Sequence, residues 1–372
     1  MKRLFAVLMI LIGVVSGVFA LNLFLFIETP SGQATQTLKF ERGTPLKDIL
    51  NQLQEKGVVS NQYLFKAYLL WKRSGSKIRA GEYEFHLPLK PQEILSMLLK
   101  GDFATYKITL VEGWTLRQIA TYLEAQKLVS AEAFLAKCAD PIFIQQLGLD
   151  FTKKFKNSDG GDRGEMGLFP RFEPTHPAVP GQGGLEGYLF PDTYKTYRPK
   201  DEEELIRKFV ERFRKVFTPE FEARAREMGL SQNDVVTLAS IVEKETADKT
   251  EKPLVASVFL NRLKKGMALA TDPTIIYGIH NFSGDLKKSD LERPGPYNTY
   301  LNVGLPPTPI SNPGLGSLKA VLFPAQTNYF YFVSKNDGTH YFSKTGEEHQ
   351  QAVRQYQSAR HHETDAETLP GE

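Results

Sequence analysis

The sequence predicts an α+β protein in which an N-terminal transmembrane helix precedes a duplicated region of small α/β units and a mainly helical domain. Three observations support this prediction. The chain starts with a long uncharged apolar run, it contains an internal repeat, and its second half shows a series of amphipathic helical patterns. A chain of 372 residues is long enough for two or three domains with separate cores.

The composition narrows the classes of function. The formal net charge is only +3, which gives no sign of a nucleic-acid-binding surface. Cys138 is the only cysteine, so one chain can form neither a disulfide nor a cysteine-based metal site. The seven histidines show no spacing typical of metal ligands. We therefore expect no metal and no other cofactor.

The N-terminal segment predicts a membrane anchor. Residues 4–27 contain no charge, and a helix of that length, at about 1.5 Å per residue, spans a hydrocarbon core of about 30 Å. Lys2 and Arg3 precede the run, which predicts a cytoplasmic N-terminus and a chain that lies outside the inner (cytoplasmic) membrane, on the periplasmic side, after residue 30. The alternative is a signal peptide cleaved after Ala20. We favour the retained anchor because the apolar run continues beyond Ala20.

An internal repeat follows the anchor. Residues 38–66 and 108–136 align without gaps, and each copy predicts a short strand, a glycine turn, an amphipathic helix and a second helix after a serine. A closing strand is predicted at 81–87. A helix that starts at Pro91 and ends at Gly101 is predicted after it. The two units resemble LysM-like modules, which bind N-acetylated glycans of cell walls. The alternative is a purely structural pair that arose by duplication.

Changes in composition mark the remaining boundaries. Residues 155–184 are rich in Gly and Pro and predict an exposed loop or linker. Amphipathic helices are predicted at 201–217 and onwards to Gly229. The predicted segments are 1–29 (cytoplasmic tip and anchor), 30–154 (duplicated LysM-like region), 155–184 (linker or loop), 185–357 (mainly helical domain) and 358–372 (disordered tail).

One predicted helix carries acids towards its own apolar face. The S-x-x-D pattern at 231–234 indicates a helix that starts near residue 232. At about 100° per residue, Leu238, Ile241 and Glu245 lie on one face, so Glu245 projects from the buried stripe. Burial raises the pKa of a carboxyl group, and such an acid can protonate a glycosidic oxygen at neutral pH. The alternative is that Glu245 lies just beyond the buried turn. Residues 243–244 are expected on the flanks, where water or an ion pair is available.

Downstream segments complete the candidate site. A second amphipathic helix is predicted over 253–266, and Gly266 ends it. Residues 269–279 and 297–314 are predicted to be loops in which Asp, Thr, Asn, Tyr, Gly and Pro alternate. Such loops offer hydrogen-bonding groups and aromatic faces, which can hold sugar rings.

Five motifs in order resemble one family. They are LEGYLFPDTY (185–194), ASIVEKET (239–246), VFLNRLKKGMALATDPTIIYG (258–278), YNTYLNVGLPPTPISNPG (297–314) and SLKAVLFPAQTNYFYFV (317–333). Together they look like the signatures of MltG-type (YceG-like) endolytic murein transglycosylases, over essentially residues 30–357. The predicted order of anchor, LysM-like region and catalytic domain fits as well, although residues 155–184 are longer than the family pattern.

The resemblance implies a membrane-anchored lyase, a peptidoglycan lytic transglycosylase. It would cleave the β-1,4 bond from N-acetylmuramic acid to N-acetylglucosamine inside nascent strands, leave 1,6-anhydro ends and so limit strand length. The muramoyl 6-hydroxyl supplies the nucleophile, so one glutamate acts first as acid and then as base, whereas hydrolytic glycosidases usually need two carboxylates. The alternatives are a hydrolytic muramidase, with Asp272 or Glu186 as its second carboxylate, and a non-catalytic wall-binding scaffold.

The resemblance also implies site residues and partners. The family's catalytic glutamate lies in the EKET segment, where Glu245 precedes a small hydroxyl residue and is preferred to Glu243. Expected partners are peptidoglycan glycan strands and the cytoplasmic membrane, with cell-wall synthases of the elongation machinery as a further class and no nucleic acid. The predicted substrate-binding residues are Asp272, Thr274, Tyr277, Asn298, Tyr300, Asn302, Glu186 and Asp192.

Overall fold

The computed structural model describes residues 2–149, 184–279 and 282–357. The chain divides into two compact units, of which the first contains residues 1–108 and 194–198 and the second contains 109–193 and 199–372. The predicted linker at 155–184, apart from Gly184, and the predicted tail at 358–372 lie outside the described residues.

The first unit begins with the candidate membrane span. Helix α1 (Lys2–Glu28) is long and apolar enough to cross a membrane, although a signal sequence or a core helix of a soluble protein meets the same criterion. Most of α1 is exposed, and only its last turns pack against the rest of the unit. Phe26 is buried there, and Leu23 and Ile27 pack against the same core.

Two strands and three helices form most of the rest of the first unit. Strand β1 pairs antiparallel with β2, and Leu38 lies opposite Tyr83. Both side chains belong to the core. The predicted closing strand and the predicted helix from Pro91 to Gly101 are confirmed, and Gly101 has the left-handed conformation of a helix end. The elements are β1 (Gln36–Phe40), α2 (Leu46–Glu55), α3 (Gln62–Trp71), β2 (Gly81–Phe85) and α4 (Pro91–Lys100).

The predicted repeat is present as two strand–helix–helix sequences. The second copy consists of β3 (Tyr106–Thr109), α5 (Leu116–Ala125) and α6 (Ala131–Ala139). Its two helices have serine or threonine caps, as the sequence indicates for Ser130. The likeness of these copies to LysM modules remains a prediction.

The helices of the two copies belong to different compact units, whereas most of strand β3 still lies in the first unit. The boundary between the units falls at residue 108, inside the region 30–154 that is predicted to be one domain. The reason is visible in the backbone: the Gly113 N–H donates to the Asn312 carbonyl at 2.9 Å, and the Asn312 N–H donates to the Trp114 carbonyl at 2.8 Å. The second copy is therefore held by the C-terminal part of the chain.

The rest of the second unit is mainly helical, as predicted. The helix expected near residue 232 begins at Gln232 behind a capping box of Ser231 and Asp234. The amphipathic pattern expected to run to Gly229 is split into two helices, because Thr218 caps a new one. The elements are α7 (Pro141–Gln146), α8 (Glu202–Val216), α9 (Pro219–Glu227), α10 (Gln232–Glu245), α11 (Lys252–Lys264), α12 (Asp272–Gly278), α13 (Lys288–Leu291), α14 (Leu315–Leu322), β5 (Tyr331–Ser334), β6 (His340–Ser343) and α15 (Gly346–Gln357). Strand β4 (Thr193–Thr196) lies between α7 and α8 in the chain and belongs mainly to the first unit.

Each sheet in the described residues contains only two strands. Strand β3 pairs with β4, and β5 pairs antiparallel with β6 as a hairpin. Helices α10, α11 and α14 pack against one another and form the core beside which the candidate site lies.

The prediction that residues 269–279 form a loop is wrong for Asp272–Gly278, which form α12. Pro273 lies in the first turn, where its missing N–H group costs no helical hydrogen bond. Asp272 starts the helix, where a carboxylate is favoured by the helix dipole. The Asp-Pro pair therefore starts a helix here instead of a turn.

Candidate active site

The candidate acid Glu245 is the last residue of α10. Leu238 and Ile241 on the same helical face are fully buried, as the helical periodicity predicts. Glu245 itself is partly exposed, and the backbone turns to an extended conformation at Thr246. The carboxyl group thus lies at the edge of the core.

The pKa of Glu245 is raised above the usual value of a glutamate. Burial is the main cause, and the negative charge of Asp272 raises it further. A hydrogen bond from the Thr271 hydroxyl to Oε1 of Glu245 acts in the opposite direction, as do the charges of His340 and Arg262. The net effect favours the protonated carboxyl group, which is the form that a general acid needs.

Thr271 is fixed by the loop that precedes α12. Its N–H donates to Oγ1 of Thr299 at 3.2 Å, and the Ala270 N–H donates to the Thr299 carbonyl at 2.9 Å. Ala270 has a φ of 48°, a conformation that costs energy for a residue with a side chain. Several contacts therefore hold this strained segment, and they aim the Thr271 hydroxyl at Glu245.

Arg262 of α11 supports the same segment from the other side. Its Nη1 donates to the Leu269 carbonyl at 2.6 Å and its Nε donates to the Phe330 carbonyl at 2.6 Å. The guanidinium also lies 5.3 Å from the centre of the Tyr331 ring. Burial lowers its pKa, but an arginine stays charged at neutral pH. These partners are neutral, so the positive charge of Arg262 acts on Glu245.

Glu243 has a different environment from Glu245. Its carboxylate forms an ion pair with Lys252 at 2.8 Å, and the two side chains are only 7% and 4% exposed. The Ser317 hydroxyl donates to Glu243 at 2.6 Å and the Gly314 N–H donates at 3.0 Å. The expected ion pair exists, but water is largely excluded. With these partners Glu243 holds α10, α11 and the start of α14 together.

Glu186 is fully buried and accepts several hydrogen bonds. The donors are the Leu116 N–H at 3.1 Å, the side-chain amide of Asn312 at 3.0 Å and the Tyr277 hydroxyl at 3.1 Å. Burial outweighs these bonds and raises the pKa of Glu186 to about 8. A group enclosed in this way connects the second repeat, α12 and the segment before α14, and it does not face a substrate.

Two predicted substrate ligands, Asn298 and Asn302, have side chains that are engaged within their own loop. The Asn298 amide donates to the Leu291 and Arg293 carbonyls, each at 2.8 Å. The Asn302 amide donates to the Gly295 carbonyl at 2.7 Å. These amide N–H groups therefore shape the loop, and their contact with substrate stays a prediction.

Three further predicted ligands also bond within the protein. Thr274 is fully buried, and its hydroxyl donates to the Thr271 carbonyl at 2.7 Å. Tyr277 donates to Glu186, and Asp192 accepts a hydrogen bond from Nε of Arg212 at 2.6 Å. The structure favours positioning roles for these side chains.

Asp272 and Tyr300 are the predicted ligands that lie near the acid and reach the surface. The Tyr300 hydroxyl donates to Oδ1 of Asp272 at 2.7 Å. Tyr300 is exposed, and the charges of both Asp272 and Glu245 act on its hydroxyl. Of the predicted residues, the structure thus brings Glu245, Asp272 and Tyr300 together.

Sequence reasoning missed four residues of the site: Thr271, Arg262 and the pair of His340 and Glu251. His340 Nδ1 lies 2.7 Å from Oε2 of Glu251, and the His340 N–H donates to Oε1 at 2.8 Å. Arg262 follows the buried residues Phe259 and Leu260 in α11, but Asn261 and Lys264 lie near it in sequence, so no local pattern distinguishes it. His340 lies about a hundred residues along the chain from Glu245, and only the fold brings its charge near.

Comparisons with known proteins agree on one family. The sequence model of the YceG-like family matches residues 38–355. The endolytic murein transglycosylase of Bacillus subtilis is 32% identical over 329 residues, which are 88% of this chain and 86% of that protein. The protein of the same name from Streptococcus pneumoniae is 28% identical over 337 residues, and the match spans 58% of its length. The crystal structure of a yceG-like protein from Listeria monocytogenes is 30% identical, with a TM-score of 0.56 over 86% of this chain and 99% of that one.

Substitution of Glu243 in α10 should destabilise the protein far more than substitution of Glu245. We expect Glu243→Gln to lower the free energy of unfolding by about 3–5 kcal/mol, because it leaves the buried Lys252 ammonium without its partner. Glu245→Gln should leave the stability nearly unchanged, since Glu245 has a raised pKa and no lysine partner. Urea unfolding monitored by circular dichroism measures both free energies of unfolding. The double variant Glu243→Gln/Lys252→Met should regain much of the loss, and a Glu243→Gln protein as stable as the parent would contradict the ion pair's role.

Glu186 should make stability depend on pH. The unfolded chain ionises this carboxyl group near its model value of 4.5, whereas the folded chain holds the proton up to about 8. The unfolded state therefore binds fewer protons between these values, and the free energy of unfolding should fall as the pH rises from about 5 to about 8. Glu186→Gln should lack this part of the decline. Urea titrations at several pH values test it, and equal slopes for the two proteins would refute the raised pKa.

Proposed function

Because the chain belongs to the YceG-like family, we propose that it is a peptidoglycan lytic transglycosylase. Such a lyase cleaves the β-1,4 bond from N-acetylmuramic acid to N-acetylglucosamine inside a glycan strand and leaves a 1,6-anhydro end. The observation that carries the proposal is Glu245, an acid with a raised pKa that Thr271 holds at the edge of the core. The relatives named endolytic murein transglycosylase support the same reaction.

In the first step Glu245 acts as the general acid. Its proton moves to the glycosidic oxygen, the bond from that oxygen to C1 of the muramoyl residue breaks, and the N-acetylglucosamine part leaves as an alcohol. Positive charge develops at C1 while Glu245 becomes a carboxylate. The raised pKa favours the protonated form that this step needs.

In the second step the same residue acts as the base. The muramoyl 6-hydroxyl attacks C1, and its proton moves to the Glu245 carboxylate. The new bond closes the anhydro ring, and the acid is regenerated without consumption of water. One carboxyl group is therefore sufficient, since the substrate supplies the nucleophile.

The residues around Glu245 suit this alternation of charge. Arg262 and His340 favour the carboxylate electrostatically, and the Thr271 hydroxyl donates a hydrogen bond to it. Asp272 favours the protonated form. These influences oppose one another, and their net effect is a raised pKa for Glu245, which favours proton donation in the first step. We assign Asp272 and Tyr300, at the surface beside Glu245, to contacts with the sugar.

A hydrolytic muramidase is the second candidate, and Asp272 is the observation that favours it. Its negative charge acts on Glu245, and a carboxylate beside a general acid is the arrangement of hydrolytic glycosidases. Glu186 does not suit that role, since it is fully buried. The two reactions differ in their products, because hydrolysis leaves a reducing end.

We further propose that α1 anchors the chain in the cytoplasmic membrane, with the N-terminus inside and both compact units outside. The long apolar segment and the preceding Lys2 and Arg3 support this orientation. An enzyme held there meets glycan strands as they emerge from synthesis, so it would limit their length. Cell-wall synthases of the elongation machinery are then the expected partners.

Product analysis tests the proposed reaction. We expect the full chain to convert uncrosslinked peptidoglycan strands into fragments with anhydro ends, as identified by mass spectrometry. Glu245→Gln should lower the rate by at least about a hundredfold, because it removes the proton donor. Glu220→Gln is the matched control, since Glu220 is exposed in the first turn of α9, and it should keep full activity. Reducing ends would indicate the muramidase, and no cleavage by the parent would leave a wall-binding scaffold.

The neighbours of Glu245 should shift the pH dependence in opposite directions. The rate should fall as the pH rises through the pKa of Glu245, because the acid form is lost. Asp272→Asn removes a negative charge that raises this pKa, so the fall should move to lower pH. Thr271→Val removes a hydrogen bond that lowers it, so the fall should move to higher pH. Profiles of kcat against pH measure both, and shifts in the same direction would contradict the assignment.

A further inference from the structure

A short basic stretch of the first unit exposes several large apolar side chains. Residues 61–80, which include α3, contain five lysines and arginines and no acid, although the whole chain has a net charge of only +3. On α3, Tyr63 is 75% exposed, and Leu70 and Trp71 are each 66% exposed. The basic residues are Lys66, Lys72, Arg73, Lys77 and Arg79.

These cations are free to meet an external partner. All five are exposed, and among the described residues no carboxylate forms an ion pair with them. Lys72 places its ammonium 4.7 Å from the centre of the Trp71 ring, which leaves the positive charge at the same surface as the indole. Apolar rings and unpaired cations thus share one region.

Helix α3 packs directly against the end of α1. The ring centres of Phe26 in α1 and Phe65 in α3 are 6.5 Å apart. The contact continues along α3, since Phe65 meets Tyr68 at 6.4 Å and Tyr68 meets Trp71 at 6.1 Å. A row of aromatic rings therefore connects the candidate membrane span to the exposed tryptophan.

The length of α1 places this contact at the membrane surface. A helix of 27 residues is about 40 Å long, whereas the hydrocarbon core of a bilayer is about 30 Å thick. The last turns of α1, which contain Leu23, Phe26 and Ile27, then lie among the lipid headgroups. Because α3 packs on those turns, α3 lies at the same depth.

We propose that Tyr63, Leu70 and Trp71, together called the α3 face, form a second membrane contact on the outer surface of the bilayer that holds α1. The apolar side chains insert among the headgroups, and the surrounding lysines and arginines bind the phosphates of anionic lipids. This proposal rests on the proposed anchoring by α1.

The chemistry of the α3 face fits a lipid surface. Tyrosine and tryptophan are favoured at the membrane–water interface because one part of each ring system is apolar and the other is polar. Lysine and arginine can extend along such a surface and keep their charges in water. A basic helix with aromatic and leucine side chains is the usual composition of an interfacial helix. Such a contact would restrict rotation of the first unit about the axis of α1.

A glycan strand is the other partner to consider, since exposed aromatic rings can also stack on sugars. Two observations favour lipid. The stretch carries five positive charges, which match the phosphates of an anionic bilayer, and it adjoins the candidate span itself. Glycan binding is therefore an outcome that the experiment must distinguish.

Fluorescence of Trp71 can test the proposed contact. The chain contains two tryptophans, Trp71 and Trp114, so substitution of Trp114 leaves Trp71 as the only tryptophan that fluoresces. We would reconstitute the full chain with Trp114→Phe into nanodiscs of phosphatidylglycerol and phosphatidylcholine, with a nitroxide on the lipid headgroup region. Co-elution with the discs tests the anchor independently of α3. The proposal expects the Trp71 emission to shift to shorter wavelength, to be quenched by the lipid nitroxide and to be protected from iodide in the water.

Two variants sharpen the test. Leu70→Glu adds a negative charge to the α3 face and should abolish the quenching of Trp71 by the nitroxide, while co-elution persists. Ile142→Glu is the matched control, because Ile142 is equally exposed on α7 in the second unit, and it should change nothing.

Each contrary result has a distinct meaning. A chain that co-elutes with the discs while Trp71 is quenched only by iodide would overturn the α3 contact and leave the anchor intact. Protection from iodide by added glycan strands, and not by lipid, would overturn it in favour of a glycan-binding face. A chain that fails to co-elute would refute the anchor and, with it, this proposal, while the reaction assigned to Glu245 would be unaffected.

Discussion

The second unit depends on a polar network that is sealed inside it. Glu186 accepts hydrogen bonds from Leu116 and Tyr277, and the Asn312 side chain links it to the Trp114 carbonyl. Unpaired polar groups are costly in such a place, so each partner fixes the position of the others. Elements far apart in the chain are thereby held in register: the second repeat, α12 and the segment before α14. This network explains why the helices of the second repeat belong to the C-terminal unit, and it gives the fully buried Glu186 a role in holding these elements together.

Helix α10 shows how position decides the role of a carboxyl group. Glu243 and Glu245 are two residues apart, but one meets a buried ammonium, a hydroxyl and a backbone N–H, whereas the other meets a single threonine hydroxyl at the edge of the core. Desolvation without compensation raises the pKa of Glu245. The fully bonded Glu243 fixes α10 relative to its neighbours, and so it holds the backbone that presents Glu245.

Local patterns predicted the elements better than the site. The capping box before α10, the end of α4 at Gly101 and the burial of Leu238 and Ile241 follow from neighbouring residues, and all three are confirmed. Helix α12 was missed because Asp-Pro indicates a turn as readily as a helix start. The burial of Glu186 and the approach of His340 to Glu245 depend on contacts between segments that are distant in the chain. The periodicity of apolar residues within one element does not predict such contacts. The helical-face argument correctly places Glu245 beside the buried Leu238 and Ile241, while its catalytic role stays a prediction. The hydrogen bonds of Asn298 and Thr274 within the protein could not be predicted from sequence, because they depend on the positions of their partners in the fold.

The end of α1 has a consequence for how the protein could be released. The core of the first unit takes side chains from Leu23 onwards, and Ala20, the predicted alternative processing site, precedes them. Cleavage after Ala20 would remove most of the apolar helix α1 and leave every side chain of that core in place. Folded structure and tethering are thus separable properties of this chain, and a shed form would keep the same interior as the bound one.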